Sequence, residues 1–321
     1  MAHILLIGAG FSRNWGGWLA AEAFEYLLGC KEIQDNPSLG ILLWQHKESG
    51  GFEAALAAVQ AQGRGYGKDE LAALQAAVIR MFDDMNNGYL GLTNGLEFNS
   101  QVGFLVREML VRFDAIFSLN QDLLLEYHYI NDNISLCGAR KWDAAYLPGV
   151  RRTQPAGMLY GPQARREVQW IVGDEHFERP LRQQPIYKLH GSTQWVDQNG
   201  SDLLVIGGAK TATISRTPLL GQYLRDFEAR LSQPGARLMI IGYGFADGHI
   251  NEIIQKTAQN GLRCFIIDPL GVDVANPTRN VPVRVANPME NLIIGASRRT
   301  LREIFSGDRV EYAKIMRFFE A

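Results

Sequence analysis

Residues 3–12 read His3-Ile4-Leu5-Leu6-Ile7-Gly8-Ala9-Gly10-Phe11-Ser12. A short, unbroken apolar run such as Ile4–Ile7 is what a strand buried on both faces requires. The glycines that follow mark a tight turn, and a helical pattern runs from about Trp15 to Leu28. Strand, glycine turn and helix open a nucleotide-binding α/β fold, because glycines at a strand end let backbone N–H groups approach a pyrophosphate and the next helix adds its dipole. A plain strand–helix turn reads the same residues without a ligand. Arg13 stands where a third glycine belongs, and no strand ending in Asp or Glu follows about 20 residues on, which disfavours a dehydrogenase.

Further along the chain, apolar residues fall at helical spacing in three sets: Phe52, Ala55, Leu56 and Val59; Leu71, Leu74, Val78, Phe82 and Met85; and Val102, Leu105, Val106, Met109 and Phe113. No strand pattern interrupts them, so a helical insertion at about 31–113 is expected between the first and second core strands. Core strands are expected at Ala115–Leu119, Ile186–Leu189, Leu203–Ile206, Leu238–Gly242 and Cys264–Asp268, with helices near 218–232 and 248–260. Alternating strands and helices imply a Rossmann-like, mostly parallel α/β sheet with helices on both faces. A loop-rich insertion is expected at about 131–182. The chain then divides into a main domain over 1–290 and a C-terminal helical segment over 291–321, in which Tyr312, Ile315, Met316 and Phe319 share a face.

The chain has 321 residues, 46% hydrophobic and 21% charged, with 32 basic and 34 acidic side chains and a net charge of −2. This composition is globular and carries no global pull toward nucleic acid or membrane. Cys30, Cys137 and Cys264 are dispersed and form no CxxC pair, so they make no four-cysteine zinc site and point to a reducing compartment. With no apolar run near the ~20 residues of a membrane span and no signal-peptide pattern, a cytoplasmic protein is expected.

Four more strand ends carry polar groups. Phe117-Ser118-Leu119 ends in Asn120-Gln121-Asp122, whose amide and carboxylate either hold ribose hydroxyls and orient a water or cap the following helix. Tyr187-Lys188-Leu189 ends in His190-Gly191. Its imidazole is either a general base at neutral pH or a satisfied core histidine. Ile240-Ile241 leads into Gly242-Tyr243-Gly244-Phe245-Ala246-Asp247-Gly248-His249-Ile250-Asn251, a second glycine turn opening a helix, in which Asp247 and Asn251 read as caps and His249 as structural or rim-exposed. Asp268, after Phe265-Ile266-Ile267, is an acceptor for an adenosine ribose or a turn residue.

Taken in order, Gly8-Ala9-Gly10-Phe11-Ser12, Asn120-Gln121-Asp122, Lys188-Leu189-His190-Gly191 and Gly242-Tyr243-Gly244-Phe245 resemble the nucleotide-binding signatures of the sirtuin superfamily. The resemblance spans roughly residues 3–270 and implies NAD bound between a Rossmann-type domain and a smaller insertion, with cleavage of the nicotinamide–ribose bond. It implies catalytic roles for Asn120 and His190. It also implies dinucleotide contacts from Gly8, Ala9, Gly10, Phe11, Ser12, Asp122, Gly242, Tyr243, Gly244 and Phe245, to which the strand-end reading adds Asp268. Protein-deacylating sirtuins carry a zinc ribbon, an Ile-Pro-Asp-Phe-Arg segment and a groove-forming stretch after His-Gly. This chain has no zinc ribbon, and it has Arg13-Asn14-Trp15-Gly16-Gly17 and Ser192-Thr193-Gln194-Trp195 at the other two places. The Gly-Tyr-Gly-Phe-x-Asp-x-His-Ile-Asn run is similar to a divergent bacterial branch whose members act in anti-phage defence by hydrolysing NAD to nicotinamide and ADP-ribose.

The resemblance therefore implies an NAD hydrolase that needs no metal and uses NAD as its substrate. Because such an activity must be held off in healthy cells, control by homo-oligomerisation or by a separate partner such as an ATPase is expected. An NAD-dependent protein deacylase and a non-catalytic module binding NAD or ADP-ribose remain the alternatives. Arg140, Lys141, Arg151, Arg152, Arg165, Arg166, Arg179 and Arg182 form a basic stretch, either a solvated loop or a weak nucleic-acid or partner contact.

Overall fold

The computed structural model describes residues 1–61, 66–99, 104–130, 134, 141–153, 169–198, 200, 202–207, 210–276 and 289–320. Eleven strands are present among them: β1 (His3–Ile7), β2 (Ala115–Ser118), β3 (Ala144–Tyr146), β4 (Val150–Arg152), β5 (Trp170–Val172), β6 (Gln183–Lys188), β7 (Gly191–Val196), β8 (Asp202–Leu204), β9 (Arg237–Ile241), β10 (Arg263–Ile267) and β11 (Ile293–Ser297). Seven form one parallel sheet in the order β11-β10-β9-β1-β2-β6-β3. Side chains of a strand alternate between faces. Because Ile4–Ile7 of β1, all of β2 and Leu238–Ile241 of β9 are buried without a break, both faces of the sheet are covered. Phe117 of β2 stacks on Tyr187 of β6 with centroids 4.6 Å apart, and Phe227 of the Pro218–Leu231 helix packs on Phe117.

From β1 the chain builds one side of the sheet through β2 and β6, then returns to build the other side through β9, β10 and β11. The strand order thus reverses between β1 and β9. Open α/β sheets bind ligands in the crevice beyond the strand C-termini at such a switch point. The two glycine turns follow β1 and β9.

The helical insertion between β1 and β2 contains Ala20–Gly29, Lys31–Gln34, Pro37–His46, Gly51–Gln60, Lys68–Leu90 and Val106–Leu110. Lys68–Leu90 buries Leu74, Ala77, Val78, Met81, Phe82, Met85, Asn86 and Tyr89, a three-and-four spacing that puts one stripe inward. Val102, assigned to the last helical set, lies outside the described residues. No helix among the described residues is long and apolar enough to cross a membrane.

Several expectations need correction. The helix expected from Trp15 to Leu28 is broken: a short helix spans Ala9–Ser12, a 3-10 turn spans Arg13–Trp15, and the longer helix starts at Ala20. Gly16 adopts φ +96°, and a Cβ on Gly17 would stand 2.5 Å from the Tyr89 hydroxyl, so the chain bends where the long helix packs against it. Leu203–Ile206 is not a core strand. Its first part belongs to β8, in a second sheet of order β4-β5-β7-β8, where β7 and β8 pair antiparallel. The loop-rich stretch holds β3, β4 and β5, three-residue strands too short to show a period. The segment from 291, expected to be helical, also contains β11 on the sheet edge, directly after the 3-10 turn Glu290–Leu292. Gly295 there leaves room for the Phe265 ring, which a Cβ at that position would approach to 2.7 Å. At the C-terminus Phe318, rather than Phe319, is the fully buried ring, wedged near His3 and Phe265.

Candidate functional site

The two glycine turns lock into each other. Gly8 N–H donates to the Ile241 carbonyl at 3.0 Å and Gly10 N–H to the Gly242 carbonyl at 2.9 Å. A Cβ on Gly10 would lie 2.7 Å from Gly242 Cα, and one on Gly242, at φ +61°, would lie 2.3 Å from the Gly10 carbonyl carbon. These glycines therefore serve close backbone approach, and all three of their N–H groups are committed inside the protein, that of Gly242 to the Ile267 carbonyl at 3.0 Å. Ala9 and Gly244 are exposed, Gly10 and Phe245 half-buried, so the outer rim of the joined turns faces solvent. Phe245 is the one non-glycine residue with positive φ (56°) among the described residues, and its ring lies 4.9 Å from that of Tyr243. Tyr243 packs inward and its hydroxyl bonds Asn251 at 2.9 Å and the Asp247 backbone at 3.1 Å.

Strand pairing fixes the next two groups. Ser118 is paired with Lys188, so Asn120 and His190 each stand two residues beyond that pair, on neighbouring parallel strand ends. Neighbouring strands lie about 4.8 Å apart. Asn120 Nδ2 donates to the Gly8 carbonyl at 3.0 Å and to Ser12 Oγ at 2.9 Å. With both amide hydrogens engaged, the amide plane is fixed and Oδ1 is the atom left to meet a ligand. Asn120, Ser12 and Asp122 are all buried, so Asn120 orders the β1 turn as well as lying beside it.

His190 is 2% exposed. Its Nε2 lies 3.3 Å from Nε2 of His249. Burial pushes its pKa down to about 4; Asp247 opposes that shift, while Lys210 and His249 add to it. The imidazole is therefore neutral at pH 7. Burial likewise lowers His249. Burial alone would raise the Asp247 carboxyl, but His190, Lys210 and His249 around it hold it below its ordinary value. Lys210 bridges Asp247 at 3.0 Å and Glu53 of the insertion at 2.6 Å.

Beneath these groups lies a buried network that the sequence reading overlooked. Lys188 Nζ donates to Glu126 Oε1 at 2.6 Å, to Ser192 Oγ at 2.9 Å and to the Asp122 carbonyl. Burial raises the carboxyl pKa values of both Asp122 and Glu126, against the pull of Lys188. The long insertion helix contributes Asn86, which accepts from Leu123 N–H at 2.9 Å and donates to Thr193 Oγ1 at 3.1 Å. The available signal was Lys188 itself, a charge on an otherwise apolar strand that must carry a partner with it.

At Asp268, Oδ1 accepts from Leu270 N–H at 2.8 Å, and the residue's own N–H continues the ladder to Ser297. His249, read as structural or rim-exposed, is half-buried and meets His190. Of the basic stretch, Arg179 pairs with Asp226 and Arg182 with Asp143, each through two bonds. Arg140, Arg165 and Arg166 lie outside the described residues, as does Cys137. No cluster of three or more His, Cys, Asp or Glu suited to a metal ion occurs among the described residues.

Residues 114–269, from the start of β2 past the end of β10, match the family model described as SIR2-like domain. No curated protein matches the chain. Among solved structures, the chain is similar to a Sir2 complex with the inhibitor EX-527, 2'-O-acetyl-ADP-ribose and a deacetylated p53 peptide, at 12% identity over 98% of this chain and 94% of that one, with a TM-score of 0.34. A second structure, described as the structural basis for the mechanism and regulation of Sir2 enzymes, is 11% identical over 98% and 93% of the two chains, with a TM-score of 0.35.

Proposed function

We propose that the protein is an NAD hydrolase, releasing nicotinamide and ADP-ribose, that serves as an anti-phage effector by depleting cellular NAD. The observation that carries this reading is the register of Asn120 and His190 beside interlocked glycine turns at the sheet's switch point, within the stretch that matches a SIR2-like domain. In NAD, nicotinamide is already a cationic leaving group and departs as a neutral base, so no general acid is needed. The protein's tasks are to stabilise an oxocarbenium-like ribose and to deliver a nucleophile. Asn120, through Oδ1, orients water and the ribose; a neutral imidazole at His190 accepts the proton that water or a ribose hydroxyl gives up. General-base help of this kind contributes about 10²–10⁴-fold. The rim of Ala9, Gly10, Gly244 and Phe245 borders the dinucleotide.

Control in this reading comes from self-assembly or a separate ATPase partner. Ile41 and Trp44, 59% and 57% exposed on the Pro37–His46 helix, support an assembly surface on the insertion. Size-exclusion chromatography at micromolar concentration tests it, and a monomer with and without NAD overturns self-assembly.

One observation favours a second reading, a module that binds NAD or ADP-ribose without cleaving it: His190 is nearly inaccessible and both amide hydrogens of Asn120 are occupied. Chromatography of NAD incubated with the protein decides between them. The hydrolase reading expects nicotinamide and ADP-ribose, lost in His190→Ala and Asn120→Ala variants that remain folded. Calorimetric nucleotide binding without nicotinamide release overturns it.

A further inference from the structure

We propose that Asn86 of the helical insertion is a positioning residue, whose one amide clamps the segment carrying Asn120 to the segment carrying His190. Its effect on catalysis rests on the hydrolase reading above; the clamp itself does not.

Every buried residue of the Lys68–Leu90 helix from Leu74 to Met85 is apolar, and the next, Asn86, is 5% exposed. A buried amide beside such a stripe costs free energy unless its oxygen and its nitrogen both find partners. Both do, and neither partner belongs to the insertion. Oδ1 accepts from Leu123 N–H at 2.9 Å, and Nδ2 donates to Thr193 Oγ1 at 3.1 Å.

The two partners hold equivalent places. Ser118 pairs with Lys188, so Leu123 stands three residues beyond Asn120 and Thr193 three beyond His190, counted from the same register point. The two segments are also tied to each other. Thr193 N–H donates to the Gln121 carbonyl at 3.1 Å, and Ser192 Oγ to the same carbonyl at 3.3 Å. Gln121 Nε2 reaches the Val205 carbonyl at 2.6 Å, and Val205 N–H closes the circuit on the His190 carbonyl at 3.1 Å. Asn86 is where this circuit meets the insertion.

The backbone decides which way the amide points. Leu123 presents an N–H, so Oδ1 must face it, which leaves the NH2 group for the Thr193 hydroxyl. Turned over, the amide would set donor against donor. One amide orientation therefore goes with one spacing of the two segments, and that spacing carries over to Asn120 and His190. A leucine of similar size would fill the same space without specifying it.

The test sets shape against chemistry in the full chain. Thr193→Val keeps the volume and loses the acceptor, Thr193→Ser keeps the acceptor and loses a methyl group, and Asn86→Leu keeps the volume and loses both bonds. Neither Asn86 nor Thr193 bonds the Asn120 amide or the His190 imidazole, so NMR signals of those two groups report position rather than contact. The signals should move in Thr193→Val and in Asn86→Leu, and return toward the parent in Thr193→Ser. Unmoved signals in Thr193→Val overturn the clamp, whether or not Asn86→Leu folds. In NAD cleavage, kcat of Thr193→Val should fall about 10-fold or more with KM within about twofold of the parent, because misplaced reacting groups lose rate steeply. A parent-like kcat there, or an equal loss in Thr193→Ser, overturns the positioning role. If the parent itself releases no nicotinamide, the hydrolase reading falls alone, and the NMR comparison still decides the clamp.

Discussion

The side-chain amide of Asn120 donates to the carbonyl of Gly8 at 3.0 Å, so the end of β2 holds the turn that follows β1. A residue placed to orient a substrate is thereby also a strut between two strand ends. Its second bond, to Ser12 Oγ at 2.9 Å, fixes the turn at a further point.

Replacing Asn120 should therefore affect stability as well as activity. In Asn120→Ala the Gly8 carbonyl and Ser12 hydroxyl lose a buried donor, at a cost of about 1–3 kcal/mol. Asn120→Asp should be worse at neutral pH, because a carboxylate then faces a carbonyl oxygen. Urea unfolding measures both, and an alanine variant as stable as the parent contradicts the strut.

The glycines of the second turn should separate cleanly. Gly242→Ala forces a side chain into φ +61° and brings Cβ within 2.3 Å of Gly10, whereas nothing lies within 4 Å of a Cβ on Gly244. The first substitution should cost about 1–3 kcal/mol and weaken nucleotide binding; the second should be nearly neutral in stability. Thermal melts and NAD calorimetry check this. Equal losses at the two positions would show that close approach is not what Gly242 provides.

The sequence was most readable where one physical requirement acted alone. Runs such as Ile4–Ile7 and Leu238–Ile241 must be strands buried on both faces, and polar groups placed directly after them could be assigned to the strand ends. The three-residue strands β3, β4 and β5 carry too few side chains to display a period. Ile293–Ser297 forms an edge strand whose half-exposed residues carry no continuous apolar signal. The contact of His249 with His190 was not legible because its partner is 59 residues away, and nothing local marks a half-buried ring as facing another histidine. Lys188, Glu126 and Ser192 escaped for the same reason: their pairing exists only once β6, β7 and the helical stretch Glu126–Ile130 after β2 meet.

His190 should make the fold acid-sensitive. Burial lowers its pKa from 6.5 to about 4, so between those values the unfolded chain binds a proton that the folded chain resists. Its stabilising contribution is complete above pH 6.5 and is lost as pH falls toward 4, on the order of 3 kcal/mol in total. Urea midpoints measured from pH 7 to pH 4 should decline over that window, and His190→Gln should flatten the decline. A variant with the parent's slope would assign the acid sensitivity to other groups.

Lys210 links the helical insertion to the two histidines, because one ammonium serves both Glu53 at 2.6 Å and Asp247 at 3.0 Å. Its positive charge lowers the pKa of His190 and of His249, while that same charge helps keep Asp247 ionised. In Lys210→Met both effects reverse in a defined direction: the imidazoles should titrate at higher pH and the Asp247 carboxyl should also move up. Lys210→Arg, which keeps the charge, should leave the histidine titrations near those of the parent. Glu53→Gln supplies the remaining contrast. It removes one anion from Lys210 without touching Asp247, so a change in the histidine titrations there means that the insertion reaches the site through this lysine. Imidazole NMR over pH 4–8 reads all three variants, and titrations in Lys210→Met that stay put or move to lower pH would remove Lys210 from the electrostatics of the pair.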